Sequence, residues 1–357
     1  MTNTLGDLVE AEWTDAVEAI EKCYELGWTD GLPVVPPTVD RVQSFLDRVG
    51  RPADEVVGGV PERRREVTVG KIAANAVMAG CKPEYFPVVL AVADAIFDPV
   101  FNLIGPSSSL GGAGILVIVN GPAVKKLGIN CHNNLFGPGN RANSTIGRSV
   151  RLILMNACAA IPGLFDRSIL GHPGKFSFCI AENEEDIPWT PMHVERGFAR
   201  EDSTVTVFAC DGPRQVRAMG TPETILYSLV DATCALGSSM ASSGSVGDTE
   251  AMIRQGQVVI VFAGAADVWD GWSKDDIRAH LYPKLRRSVA DLKRAKMIDG
   301  DMEAADEEKY LSLVPAPEDL LMLYAGGVEN QYMAVIPAWG PKVGSTAVTK
   351  KIQLPKS

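Results

Sequence analysis

Short apolar runs alternate with stretches of helical periodicity along most of the chain. Six apolar runs have the length of strands, namely residues 115–119, 176–181, 205–209, 258–263, 320–324 and 333–336. Apolar residues recur at helical spacing in residues 8–26, 39–49, 69–80, 83–97, 145–159, 222–236 and 274–285. This alternation of strands and helices predicts an α/β fold with mixed sheets covered by helices.

Two segments of the chain resemble each other, which favours an internal duplication. Residues 68–81 align without gaps on residues 221–234, with five identical positions that run from Thr68/Thr221 to Cys81/Cys234. Each segment begins with a threonine suited to cap a helix. We therefore predict two related α/β lobes with a cleft between them. The alternative is chance similarity between two helix–strand units.

The predicted organisation has three parts. Residues 1–55 form an N-terminal helical arm with a proline-rich loop, residues 56–215 a first lobe with Asn- and Gly-rich loops, and residues 216–357 a second lobe. If the lobes pair by pseudo-symmetry, Cys81 and Cys234 approach each other. The alternative is that both thiols are packed in cores, where free cysteine is common.

Composition and charge narrow the classes of partner. Apolar residues make up 46% of the 357 residues and charged residues 22%, which argues against a disordered chain. A net charge of −10 disfavours nucleic acid and anionic membranes as partners. The longest aliphatic run, residues 115–119, is far shorter than a membrane span, and the acidic residues 1–12 differ from a secretory signal. We expect a cytoplasmic protein whose seven scattered cysteines are reduced.

An amide-rich segment, residues 130–148, suggests a site for an anion. It contains five Asn, one Cys, one His and two Arg, and such a loop is costly to order unless its amides bind a ligand or each other. The N-terminus of the helix that follows also favours negative charge. We predict a carboxylate or phosphate pocket; a structural loop that holds the lobes together is the alternative. The predicted substrate-binding residues are Asn120, Asn140, Arg141, Asn143, Arg148 and Lys175.

A second segment, residues 171–189, suggests thiol chemistry. Alternation along residues 175–181 places Cys179 on the same face as Lys175, whose ammonium would favour a thiolate. Glutamates 182, 184 and 185 follow and could transfer protons, and His132, His172 or His193 could deprotonate the thiol of Cys131 or Cys179. The alternative is a packed cysteine with its acids in solvent. The predicted catalytic residues are Cys179, His172, Glu182, Cys131 and His132.

No metal site is predicted, and the cofactor is left open. His172, Cys179 and Glu182 carry ligand atoms that suit a metal ion, but their spacing matches no familiar ligand pattern.

Three phrases of the sequence carry a resemblance to a known group. They are Gly27-Trp-Thr-Asp-Gly-Leu-Pro-Val-Val-Pro-Pro-Thr38, Met78-Ala-Gly-Cys-Lys-Pro-Glu84 and Gly137-Pro-Gly-Asn-Arg-Ala-Asn143. They resemble a largely uncharacterised bacterial family associated with UGSC-type selenoproteins and cysteine proteins. The resemblance covers most of the chain and implies thiol-linked chemistry. Because a Gly-Ser-Cys element is absent from this sequence, either its own residues carry the chemistry or a second subunit supplies part of it.

These features lead to three hypotheses of function. The first is a cytoplasmic enzyme that acts on a small anionic, carboxylate-type molecule by hydrolysis or elimination. The second is a thiol-based redox protein or subunit that works with a partner, and the third is a non-catalytic binding or assembly subunit. We also predict a homo-oligomer, because the proline-rich loop and Trp269 and Trp272 offer apolar surface.

Overall fold

The computed structural model describes residues 13, 15–235 and 256–354, and the prediction of helix for residues 8–12 and 236 falls outside them. The helices are α1 (Ala16–Glu25), α2 (Val39–Val49), α3 (Val69–Ala79), α4 (Phe86–Ile96), α5 (Ile104–Ser108), α6 (Ala123–Leu127), α7 (Arg141–Leu152), α8 (Met192–Glu195), α9 (Pro222–Thr233), α10 (Lys274–Leu281) and α11 (Val289–Arg294). The strands are β1 (Val56–Val60), β2 (Arg65–Thr68), β3 (Gly114–Asn120), β4 (Cys179–Ala181), β5 (Thr204–Cys210), β6 (Arg214–Arg217), β7 (Val258–Ala263), β8 (Arg286–Ser288), β9 (Tyr310–Ser312), β10 (Leu320–Tyr324), β11 (Tyr332–Pro337) and β12 (Val348–Lys351). The predicted α/β class is confirmed.

Local sequence signals set several helix ends. Thr38 and Thr68 cap α2 and α3 through their side-chain oxygens. Both helices end at a glycine in the left-handed region, Gly50 at φ +64° and Gly80 at φ +87°. The predicted strand over residues 176–181 is shorter than expected, because residues 173–175 form a 3₁₀ turn and regular pairing begins only at Cys179.

Two four-stranded sheets pack face to face with helices outside them. The first has the order β12-β5-β3-β4 and the second the order β10-β7-β11-β6. Side chains alternate along each strand: Val117 faces the outer helices α3, α4 and α7, whereas Leu116 and Ile118 face the second sheet. The strand β7 alternates likewise, with Ile260 outside and Val261 inside. The predicted cleft between the lobes is therefore wrong, because an apolar layer fills the space between the sheets.

The two sheets share one topology, which fits the predicted duplication. In each sheet a central strand, β3 or β7, has a parallel neighbour on one side and an antiparallel neighbour on the other. The fourth strand of each sheet comes from the other half, since β6 follows β5 and β12 follows β11. The two connections cross where Cys210 pairs with Ala338. The boundary predicted after residue 215 thus falls inside β6, and β12 belongs to the first sheet.

Buried cysteines and tryptophans lie elsewhere than the sequence suggested. Cys81 packs in the outer layer of the first sheet and Cys234 in the outer layer of the second, so both sheets separate them and the expected approach is wrong. Trp269 is buried in the second core, so it offers no surface for an interface. The predicted homo-oligomer stays a prediction. None of the helices in the described residues is long and apolar enough to cross a membrane.

A largely buried ion pair adds to the apolar contacts that hold the N-terminal arm on the first lobe. Arg148 of α7 donates from Nε and Nη2 to the two carboxylate oxygens of Asp30, at 2.8 and 2.7 Å, and also to the carbonyls of Leu32 and Pro33. Asp30 and Arg148 are both largely buried. The expected anion-binding role of Arg148 is wrong, because its guanidinium is already occupied by the proline-rich loop.

We predict that Arg148→Ala lowers the free energy of unfolding by about 3 kcal/mol, because it leaves the Asp30 carboxylate buried without a partner. Urea denaturation measures this loss. Arg41→Ala, at an exposed position of α2, is the control and should change the free energy by less than about 0.5 kcal/mol. If Arg148→Ala lowered the free energy of unfolding by no more than this control, the ion pair would not contribute to stability.

Candidate functional site

Polar side chains meet at the carboxyl ends of the parallel strands β3 and β4. Asn120 is the last residue of β3, and Glu182 follows β4 directly. Both continue the alternation of Ile118 and Ile180, which face the layer between the sheets. His193, on the short helix α8, lies against these side chains and completes the set of polar residues. The polar cluster formed by Asn120, Glu182, Glu184 and His193 therefore closes one end of an apolar layer.

Hydrogen bonds hold the two carboxylates of the polar cluster side by side. Asn120 Nδ2 donates to Glu182 Oε2 at 2.5 Å and to Glu184 Oε1 at 3.0 Å. The backbone N–H of Met192 donates to Glu182 Oε2 at 2.8 Å, and that of Gly121 donates to Glu184 Oε1 at 2.6 Å. His193 Nδ1 lies 3.5 Å from Glu184 Oε1. The cluster thus fixes one oxygen of each carboxylate.

The polar cluster also concentrates buried atoms that lack partners. Asn120, Glu182 and His193 are 0% exposed. Asn120 Oδ1, Glu182 Oε1, both ring nitrogens of His193 and the nearby Thr204 Oγ1 have no hydrogen-bond partner within the described chain. A buried polar group without a partner costs about 1–3 kcal/mol. Stability alone does not explain such a group, so a role in chemistry is the reasonable interpretation.

Burial changes the acidity of Glu182. Desolvation raises the pKa of its carboxyl to about 7, although the charge of Lys274 and the hydrogen bonds from Met192 and Asn120 act in the opposite direction. The neighbouring charge of Glu184 raises the pKa further. Both the protonated and the ionised carboxyl are therefore accessible near neutral pH.

The second lobe shows how the fold looks without this cluster. The N–H of Glu182 donates to the carbonyl of Val119, and at the matching place in the second sheet the N–H of Ala325 donates to the carbonyl of Phe262. Ala325 is therefore the counterpart of Glu182.

The same correspondence extends to the other members. The residue after Phe262 is Ala263, which matches Asn120. The N–H of Gly264 donates to the carbonyl of Gly327, whereas the N–H of Gly121 donates to the side chain of Glu184. The fold thus forms at this place with alanine and glycine, so the polar residues of the first lobe are not a requirement of the fold.

Cys179 is not placed as a nucleophile. Its side chain packs in the outer core of the first sheet with Cys81, on the face opposite Glu182. Desolvation raises the pKa of its thiol far above the usual range. Lys175 lies in the preceding 3₁₀ turn and is bound to Asp166 at 2.8 and 2.9 Å, so it does not activate the thiol. The prediction for Cys179 is wrong because the face that it shares with Ala181 is buried in the outer core of the first sheet.

The other predicted Cys and His residues do not assemble either. Cys131 is buried, and desolvation raises the pKa of its thiol to about 11. His132 has an exposed side chain whose Nδ1 lies 3.4 Å from Asn183 Nδ2. The ring of His172 fixes a turn: Nε2 lies 3.0 Å from the Gly114 nitrogen and 3.2 Å from the Cys210 carbonyl, and Nδ1 lies 3.2 Å from the Gly174 nitrogen. Of the predicted catalytic residues, Glu182 alone joins the polar cluster.

The amide-rich segment is mostly structural. Asn140 caps α7 and donates to the carbonyl of Gly128. Asn143 accepts from the N–H of Asn130 and donates to the carbonyls of Asn130 and Cys179. Its amides therefore bind each other and the backbone, which is the alternative that the sequence left open.

The predicted cationic residues are also occupied. Arg141 donates to the carbonyl of Gly80 at 3.0 and 2.9 Å and closes the end of α3, and Lys175 pairs with Asp166. With Arg148 bound to Asp30, the expected anion pocket does not form. Of the predicted substrate-binding residues, Asn120 alone lies in the polar cluster.

A cavity of about 650 Å³ is lined in part by α8, the helix that carries His193 of the polar cluster. Met192, whose N–H binds Glu182, lines it together with Leu321, and both belong to the layer between the sheets. Arg196, the residue after α8, also lines the cavity, because it lies four residues after Met192 and therefore on the same side of the chain. The sequence analysis did not identify Arg196, and it named His193 only as one of three alternative bases. The position of α8 shortly after Glu182 in the sequence is the one signal that could have indicated these residues.

Among the residues that the structure describes, Arg196 is the cation of this cavity for which no carboxylate partner is found. It donates to Thr349 Oγ1 at 2.5 Å and to the carbonyl of Ala347 at 2.8 Å, which are neutral acceptors. Burial lowers the pKa of its guanidinium. Glu195 and Asp319, which also line the cavity, are paired with Lys274 and with Lys342, respectively.

Another cavity, of about 540 Å³, lies beneath the amide-rich loop. Asn133, Gln215 and Asn330 contribute polar groups to it, and Glu329 is its acidic residue. Its described lining contains no Lys or Arg, so it offers no charge for an anion.

Comparison of the chain with known protein families, with curated proteins and with solved structures finds no match. The resemblance to the UGSC-associated family therefore stays a prediction.

The reactivity of the thiols tests whether the buried cysteines could take part in chemistry. All seven cysteines are buried and free, and burial raises the pKa of each thiol. We predict that a disulfide reagent modifies each of them in the native protein at least about 100-fold more slowly than it modifies a small free thiol. In denaturant all seven should react. One or two thiols that react rapidly in the native protein would restore the thiol hypotheses.

Proposed function

We propose that the protein is an enzyme that acts on a small anionic molecule, of the carboxylate type, by hydrolysis or elimination. The polar cluster would be its reacting centre, and the cavity lined by Arg196 would hold the substrate anion. The observation that supports the proposal is that two neighbouring residues carry both parts. His193 of α8 belongs to the under-bonded cluster, while Arg196, the residue after α8, lines the cavity and has no acidic partner among the described residues.

The chemistry of the residues fits this class of reaction. Hydrolysis and elimination both require a proton to be removed and another to be delivered, which carboxyl and imidazole groups do well. A partly desolvated guanidinium binds a carboxylate through two parallel hydrogen bonds. Lys342 adds a second positive charge to the cavity, although it also pairs with Asp319.

Thiol-based redox chemistry is less well supported, because the seven thiols are buried and Cys81 and Cys234 lie in different cores. A cytoplasmic location is part of the proposal and rests on the sequence alone.

The proposal predicts that Glu182→Gln abolishes turnover. Purified protein is incubated with a metabolite extract, and mass spectrometry follows anionic compounds that gain or lose water. The wild type should consume at least one such compound, and Glu182→Gln should slow this by at least about 100-fold. Glu185→Gln changes an exposed carboxylate that pairs with Lys125, and it should leave the rate unchanged.

The same assay separates binding from chemistry. Arg196→Gln should raise KM by at least about 10-fold with a smaller effect on kcat, because the guanidinium contacts the substrate away from the reacting bond. Arg200→Gln, four residues on and exposed, is the matched control. Equal turnover by the wild type and Glu182→Gln would contradict the proposal, as would an unchanged KM in Arg196→Gln.

A further inference from the structure

We propose that the polar cluster binds a divalent transition-metal ion, with Glu182, Glu184 and His193 as its ligands and Asn120 Oδ1 as a fourth. One ligand atom of each of the three ionisable residues lies within 4.8 Å of the others. A first-row divalent ion holds nitrogen and oxygen ligands at about 2.0–2.2 Å, so ligand atoms on opposite sides of one ion are about 4 Å apart. The observed separations are close to that value.

The charges of the polar cluster call for a cation. Glu182 and Glu184 share the Asn120 amide, and neither has a Lys or Arg within salt-bridge distance in the part of the chain that the structure describes. Lys274 is the cation that acts on Glu182, but its ammonium is bound to Glu195 at 2.7 Å. Two adjacent carboxylates in a buried place are costly unless a proton or a metal ion lies between them.

The unpartnered atoms are those that a metal ion would use. Glu182 Oε1, both nitrogens of His193 and Asn120 Oδ1 have no hydrogen-bond partner among the described residues, although these side chains are 0% exposed. By contrast, Glu182 Oε2 is held by the N–H of Met192 and by Asn120. A ligand carboxylate whose second oxygen is fixed by hydrogen bonds is the usual arrangement at metal sites.

The ligand set indicates the class of metal. One imidazole nitrogen with carboxylate and amide oxygens suits Mn²⁺, Fe²⁺, Co²⁺ or Zn²⁺, whereas Ca²⁺ and Mg²⁺ take oxygen ligands. The Glu184 side chain is 17% exposed and links the otherwise buried group to the surface. The ion would bind from that side.

The inference goes beyond the proposed reaction. A bound ion would supply positive charge to polarise a substrate oxygen or activate water, but metal binding is measured without any substrate. A failure to detect turnover would therefore not contradict metal binding, and a failure to detect metal binding would not contradict the proposed reaction, which has its own assay.

The test is metal binding by the chelator-treated full chain. Co²⁺ is titrated with its visible absorption as the readout, and Zn²⁺ by calorimetry and by thermal unfolding. We expect one ion per chain and an unfolding midpoint that rises with metal concentration. His193→Gln and Glu182→Gln should weaken binding by at least about 100-fold. Glu185→Gln, at an exposed position, and His280→Gln, at a partly buried position of α10, both lie outside the polar cluster and should bind as the wild type does.

Several results would overturn the inference. They are the absence of saturable binding at about 1 mM metal, unchanged affinity in His193→Gln and Glu182→Gln, and equal weakening by Glu185→Gln. Circular dichroism checks that each metal-free variant is folded, as expected because Ala325 takes the place of Glu182 in the second lobe. If Glu182→Gln did not fold, Glu184→Gln, at a partly exposed position, would decide the question in the same way.

Discussion

The packing of one sheet against the other is the constraint on which the rest of this structure depends. Leu116, Ile118 and Phe208 of the first sheet meet Val261 and Leu323 of the second in an apolar layer. Because helices cover the outer faces, the central strands are buried on both sides, which explains their continuous Val, Ile and Leu composition. Polar chemistry is therefore confined to the ends of the layer, where strands stop and short segments such as α8 cover them.

The exchange of β6 and β12 joins the two halves into one unit. Each half supplies the fourth strand of the other sheet, so neither sheet is complete without both halves. The shared topology also provides an internal comparison. At the strand ends of the second lobe, Ala263 and Ala325 satisfy the fold, whereas the first lobe has Asn120 and Glu182 at the cost of unpaired buried atoms. This difference supports the proposal that the polar cluster of the first lobe takes part in chemistry.

Electrostatics divides the charged residues into two groups. Arg141, Arg148 and Lys175 each bind a carbonyl or a carboxylate and tie loops to helices. Arg196 instead contacts neutral oxygens beside a cavity, and Glu182 retains one free oxygen. Groups whose bonding is incomplete within the chain are those left to interact with a ligand. The proposed reaction and the proposed metal ion both rest on this distinction.

The sequence by itself determined the α/β class, most strands and helices, and the similarity of two segments, because periodicity and capping are local properties. It also identified Glu182 and Asn120, which lie where buried strands end. It could not reveal that Cys179 faces the outer core, because the helices that cover this face of the strand come from other parts of the chain. It could not reveal the partners of Arg148 and Lys175, which come from Asp30, far along the chain, and from the Asp166 turn. Only the tertiary structure brought His193 to Glu182 and Arg196 to the cavity, since these contacts depend on how α8 closes the end of the layer between the sheets.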